Sequence, residues 1–327
     1  MRRIACINQK GGVGKTTTAV NLGAALARAG NRVLLIDLDP QAHLSLHLGQ
    51  DPAAGKPGTY ELLTGSGATS IAKVRNKVAS NLWVVPSSID LAAAEVELVS
   101  VVGREVILRD LLDHHVGGPN GRMPQYDYVL MDCPPSLGVL TLNGLCAAKE
   151  VFIPLQPHYL ALQGLGKLLQ TVSLVNRRIN AELRVSGVVV CMNDAGTKLA
   201  NEVIEDVRSF LESARNTPAP WAEAKLFTTM IRRNIKLAEA PSYGKSIFDY
   251  AADSNGAKDY EQLAREVQGV SVTAPAPEIH HAEGNPGGSP NKENTEKSKK
   301  EKAVAEEAAE ASPVAESPAP LPLNTEP

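Results

Sequence analysis

The residues best placed to do chemistry are Asn8 to Thr17, Asn-Gln-Lys-Gly-Gly-Val-Gly-Lys-Thr-Thr, between the apolar run Ile4 to Ile7 and an Ala/Leu-rich segment without proline. That order reads as strand, glycine loop, helix. Gly11, Gly12 and Gly14 let successive backbone N–H groups turn onto an anion, and the following helix adds its positive dipole end. The chemistry is phosphate binding by Gly11, Gly12, Val13, Gly14, Lys15, Thr16 and Thr17, with Lys15 reaching the outer phosphates and the Thr16 hydroxyl on Mg²⁺. One detail departs from G-x-x-x-x-G-K-[ST]: Gln9 stands where the first glycine belongs, and a second lysine, Lys10, follows it.

Carboxylates are the complementary requirement. Arg32 to Asp37 is nearly all apolar and runs into Asp37-Leu38-Asp39-Pro40-Gln41, while Tyr126 to Asp132 ends in Asp132-Cys133-Pro134-Pro135. A carboxylate at the carboxyl end of a parallel strand is where α/β sheets keep their ligands. Asp37 and Asp39 also suit a helix cap or a solvated turn, but beside a phosphate loop function is favoured. Asp132 has the form of a Walker B aspartate. Arg232, Arg233 and Lys236 form the densest basic cluster before residue 271.

The elements that must position these groups alternate. Beyond those named, strands are expected at Leu82–Pro86, Val151–Pro154 and Val185–Met192. Helices are expected at Thr16–Ala29, Thr59–Leu63, Ala92–His114 capped by Asp90, Gln163–Ile179, Leu199–Ser213 and Ala257–Val267. The fold class is therefore α/β, a doubly wound, mostly parallel sheet of P-loop type with helices on both faces. His114 and His115 lack acidic or cysteine neighbours at ligand spacing and read as solvated residues at a helix end.

Of the 327 residues, those from 271 to 327 contain no Phe, Trp or Tyr, nine of the 22 prolines, and five Lys against ten Glu. Such a segment has too little apolar surface to offset ordering entropy, so 271–327 reads as a disordered acidic Ala/Pro/Glu-rich tail and 1–270 as the folded P-loop domain. Removing the tail's −5 from the total of −3 leaves +2 on residues 1–270, which permits nucleic-acid contact without demanding it. Cys6, Cys133, Cys146 and Cys191 form no C-x-x-C pair and read as buried thiols in a reducing compartment. The apolar run after Met1-Arg2-Arg3 is too short for a signal core, and no stretch approaches the roughly 18 apolar residues of a membrane span, so a cytoplasmic location and no membrane partner are expected.

Five ordered segments, Lys10–Thr17, Asp37–Gln41, Asn81–Leu98, Asp132–Pro135 and Arg233–Gly244, resemble the deviant Walker A ATPases, and within them the ParA/Soj-type DNA-partition ATPases. The resemblance covers about residues 1 to 268. It implies ATP and Mg²⁺ as cofactors and an ATP-bound sandwich homodimer in which Lys10 reaches the partner's phosphates. It further implies Lys10, Lys15 and Asp39 as catalytic, with Asp39 orienting water, and Thr16, Asp37 and Asp132 organising the metal. Gly12 would face the approaching copy. Nonspecific double-stranded DNA would meet Arg232, Arg233 and Lys236, Lys236 replacing a more usual Arg. A second basic position falls on Gly196, with Lys198 two residues on. Slow hydrolysis stimulated by a ParB-like adaptor would release a nucleoid-associated dimer.

Related readings are a nucleoid-based ATPase positioning a protein cargo and, with less support, a MinD-like membrane-cycling ATPase. For the latter, Lys299 to Ala311 offers mainly Ala, Glu and Lys rather than bulky apolar residues. An iron-protein-like cluster would need a cysteine where Val139 stands. With nine residues before Lys10, no N-terminal helix-turn-helix is expected.

Overall fold

A strand whose side chains are apolar on both of its faces can be buried only if both faces are covered. The computed structural model, which describes residues 1–51, 55–65, 70–117, 126–193 and 197–270, has that cover. The strands are β1 (Arg2–Cys6), β2 (Val33–Asp37), β3 (Asn76–Ala79), β4 (Leu82–Val85), β5 (Tyr128–Asp132), β6 (Glu150–Leu155), β7 (Arg184–Asn193), β8 (Lys225–Leu226) and β9 (Ile231–Arg232). Their order across the sheet is β3-β4-β2-β5-β1-β6-β7-β8, with β9 also beside β7. Every pairing is parallel except β3 with β4.

Alternate residues of each strand enter different cores. Val33 and Leu35 join Ile4, Leu130 and Phe152 on one face; Leu34 and Ile36 join Ala5, Val129 and Ile153 on the other. The first face is covered by α1 (Lys15–Arg28), α2 (His43–His47), α11 (Ile247–Tyr250) and α12 (Asn255–Val267). The second is covered by α3 (Thr59–Thr64), α4 (Ile71–Val74), α5 (Leu91–Glu97), α6 (Ile107–Gly117), α7 (Val139–Ala147), α8 (Ala161–Arg178) and α9 (Lys198–Ser213). A further short helix, α10 (Ile235–Glu239), follows β9. The chain leaves β1 towards β2 and leaves β5 towards β6, in opposite directions, which opens a crevice at the carboxyl ends of these neighbouring strands.

The helix expected over Ala92–His114 is two helices. After α5 a 3₁₀ turn spans Leu98–Ser100, and Gly103 takes φ 77°, a left-handed conformation that ends the run before α6 begins. Asp90 is itself in helical conformation and makes no side-chain cap. The edge strand β3 was not expected. It pairs antiparallel with β4 through the two residues Ser80 and Asn81, the latter at φ 59°. The four cysteines are buried and free. Among the described residues no helix is long and apolar enough to cross a membrane. The expectations for residues 271–327, for Gly196 and for the His115 side chain lie outside what is described.

Candidate functional site

The loop after β1 is pinned before it turns. Asn8 donates through Nδ2 to the Pro154 carbonyl (2.8 Å), and its Oδ1 accepts the Lys10 N–H (3.0 Å). Gly12 and Gly14 then take φ 73° and 92°, left-handed values that aim the intervening amides inward, and α1 starts at Lys15. Lys15 is buried, and its Nζ donates to the Lys10 carbonyl (3.2 Å), so the side chain curls over the loop. Burial lowers its pKa, while Asp132 and Asp39 pull it back up.

The two strand-end carboxylates lie in register, Asp37 on β2 against Asp132 on β5, with Cys6 of β1 on the far side of Asp132. Both are buried. Asp132 Oδ2 accepts the Thr16 hydroxyl (2.6 Å), while Oδ1 is buried with no hydrogen-bond partner. Burial, then the nearby Asp37, pushes the Asp132 carboxyl well above the usual range, against the Thr16 hydrogen bond and Lys15. Asp37 is raised to about 7, chiefly by burial, in spite of hydrogen bonds from Ser45 and Asp39. Asp39 is half-buried, and its Oδ1 accepts the Gln41 N–H (2.9 Å), bracing the turn. The crevice therefore brings Lys15, Thr16, Asp39 and Asp132 to one place, with Asp37 in register beside Asp132 but with its oxygens turned to Ser45 and to the Asp39 N–H rather than to a metal position.

Lys10 is different. It is exposed, and its Nζ lies against Nε2 of His158 in the loop after β6, outside the cradle that Lys15 closes. Nothing in the sequence marks His158 as its neighbour.

Beside the loop a cavity of about 450 Å³ is lined by Gly14, Thr17, Met192, Ile231, Leu237 and Tyr260, among others. Arg232 and Arg233 also line it, so the basic segment begins next to the phosphate loop. The three predicted basic residues are not equivalent. Arg232 forms a two-pronged pair with Asp259 of α12 (shortest 2.6 Å), and Asp259 is almost wholly buried. Arg233 is exposed. Lys236 Nζ donates to Glu239 (2.9 Å) and lies over the Tyr250 ring. Lys198 is 92% exposed, 3.7 Å from Glu202. Sequence reasoning missed Asp259 and Glu239 as counter-charges. Glu239, three residues from Lys236 in a helical segment, was recoverable from spacing.

Three comparisons bear on this geometry. The family model described as "AAA domain" matches residues 1–185. Among curated relatives, the chromosome-partitioning ATPase Soj of Treponema pallidum is 46% identical over 266 residues, covering 81% of this chain and 96% of the relative. The chromosome partitioning protein ParA of Caulobacter vibrioides is 41% identical over 268 residues, covering 82% and 94%. Among solved structures, one described as cobyrinic acid a,c-diamide synthase of Mycobacterium smegmatis with bound ADP and magnesium is similar at a TM-score of 0.65 and 36% identity, covering 82% of this chain and 94% of that one. Apo McdA of Cyanothece, at TM-score 0.68 and 21% identity over 82% and 99% of the two chains, shares the fold.

Proposed function

The chain belongs to the Soj/ParA family of chromosome-partitioning ATPases, and from that membership we propose that it binds ATP and Mg²⁺, pairs with a second copy and, so paired, holds DNA without sequence preference. The observation that carries the reading is the division of labour between two lysines. Lys15 curls into its own cradle, whereas Lys10 is exposed at the rim. A cation at the rim can complete a second copy's site, which ties hydrolysis to assembly.

The donor set fits a magnesium ion. The Thr16 hydroxyl and the unpartnered Asp132 Oδ1 are hard oxygens side by side in the crevice, and Mg²⁺ commonly takes one or two protein oxygens with water and phosphate. When bound, the ion supplies charge neutralisation across the phosphate oxygens. The chain's own residues do the rest. The amides of Gly11 to Thr16 hold the phosphates, Lys15 neutralises the outer ones, and the apolar cavity beside Thr17 takes the base. Asp39, half-exposed at the mouth, orients the attacking water and accepts its hydrogen bond. Beyond its two chain neighbours, Gly12 has no atom of the described residues within 4 Å of a Cβ built on it, so a side chain there meets chiefly its own φ of 73° until a second copy approaches.

Arg233 and Lys236 contact DNA phosphates, and Arg232 holds their segment to α12 through Asp259. The cycle is slow and is accelerated by a ParB-like adaptor, in the cytoplasm and on the nucleoid. The test is retention of random-sequence duplex in low salt. ATP with Mg²⁺ is expected to give retention that ADP and nucleotide-free protein do not; equal retention in all three overturns the proposal.

A further inference from the structure

Asp37 stands one strand from Asp132, yet its oxygens are directed elsewhere. Oδ2 accepts two donors from one residue of α2, the Ser45 N–H (2.9 Å) and the Ser45 hydroxyl (2.7 Å). Oδ1 accepts the Asp39 N–H (3.2 Å). The Ser45 oxygen in turn accepts the N–H of Ser87 (2.9 Å), just past the end of β4, the strand beside β2. A serine hydroxyl has one proton to give, and here it goes to the carboxylate while a lone pair takes an amide. Ser45 and Asp37 are fully buried and Ser87 nearly so, which strengthens each bond and makes the loss of any one costly.

Between Asp39 and Ser45 the chain passes through Ala42 at φ 54°, a left-handed conformation that a residue with a side chain keeps only when its surroundings hold it. The helix that follows is five residues long and cannot hold that conformation by its own hydrogen bonds. The clamp on Asp37 ties it to the sheet, together with Leu44, which is fully buried in the core on that face.

We infer that Ser45 is a positioning residue for hydrolysis: with its amide and hydroxyl it clamps Asp37, and through the other Asp37 oxygen it fixes the backbone of Asp39, the residue that orients the water. This rests on the reading of the site given above. Ser45 bonds to Asp37, not to the groups that face the crevice, so its effect on the attacking water passes through Asp37 to Asp39.

That requirement gives the experiment, a double-mutant cycle on the full chain with ATP and Mg²⁺, reading single-turnover hydrolysis and nucleotide affinity. Ser45→Ala is expected to slow hydrolysis about 10- to 100-fold, the scale of a misplaced group, with nucleotide affinity within about 3-fold of wild type. Adding Ser45→Ala to Asp39→Ala is expected to slow it no further than Asp39→Ala alone. Multiplication of the two effects, or parallel loss of rate and affinity, overturns the inference and makes Ser45 a general structural residue. Should Ser45→Ala not fold, Ser45→Cys, close in size with a weaker donor, takes its place. The full wild-type rate in either folded variant also overturns the inference. A wild-type protein that does not hydrolyse ATP would instead refute the reading of the site.

Discussion

Arg232 and Arg233 are adjacent in the chain and differ in exposure. The Arg232 guanidinium is spent on Asp259, which has only 6% of its side chain exposed. Removing the Arg232 side chain leaves a nearly buried carboxylate without its guanidinium, with the backbone N–H at that position still donating to it, whereas Arg233 is exposed. Arg232→Ala is therefore expected to lower unfolding free energy by about 1–3 kcal/mol in a denaturant titration. Arg233→Ala should stay within about 0.5 kcal/mol of wild type and reduce the slope of log DNA affinity against log salt by about 1. The reverse pattern, a stable Arg232→Ala with a weakened salt slope, would move the DNA contact to Arg232. Such distinctions explain which parts of the site were legible in the sequence. Lys10, Lys15, Thr16, Asp37, Asp39 and Asp132 stand in short local motifs whose spacing carries the chemistry. His158 lies 148 residues from Lys10, Asp259 27 from Arg232, and Ser45 eight from Asp37, and only the folded backbone brings each to its partner.

Among the elements, α2 connects the turn that carries Asp39 to the segment that follows α10. Ser45 faces Asp37, and His47 is buried toward Lys245, near where Gly49 and Gly244 approach so closely that a Cβ on Gly244 would lie 2.9 Å from Gly49 Cα. Burial lowers the His47 pKa from 6.5 to about 4, against a hydrogen bond with the Lys245 backbone. The unfolded chain thus binds a proton on this residue below about pH 6.5 that the folded chain does not take until about pH 4. Stability is unaffected by His47 above pH 6.5 and falls as pH drops from 6.5 towards 4, by at most about 3 kcal/mol. His47→Leu should flatten that part of the stability profile measured by urea unfolding; an unchanged slope would place the His47 pKa near its ordinary value. Element boundaries show the other limit of sequence reading. Strands with both faces apolar announced themselves, but β3 alternates half-buried and exposed residues and carries no such signal. The break between α5 and α6 turned on Gly103, one residue in a run otherwise compatible with helix.

Across the whole fold, the carboxyl end of the sheet carries phosphate loop, aspartates and rim lysine, and the basic segment begins beside the same loop. A change in what Gly14 and Thr17 touch is thereby a change next to Arg232 and Arg233, since all four line one cavity. If Lys10 acts in a second copy rather than its own, mixing two variants that are each far slower than wild type restores hydrolysis. A Lys10→Ala copy keeps Asp39, Lys15 and Thr16, and an Asp39→Ala copy can lend it Lys10. With random pairing across a twofold interface, half the dimers are mixed and one of their two sites is complete. The mixture is expected to hydrolyse ATP at up to about a quarter of the wild-type rate, each variant alone being far slower than that. A mixture as inactive as its components would contradict the account and return Lys10 to its own site.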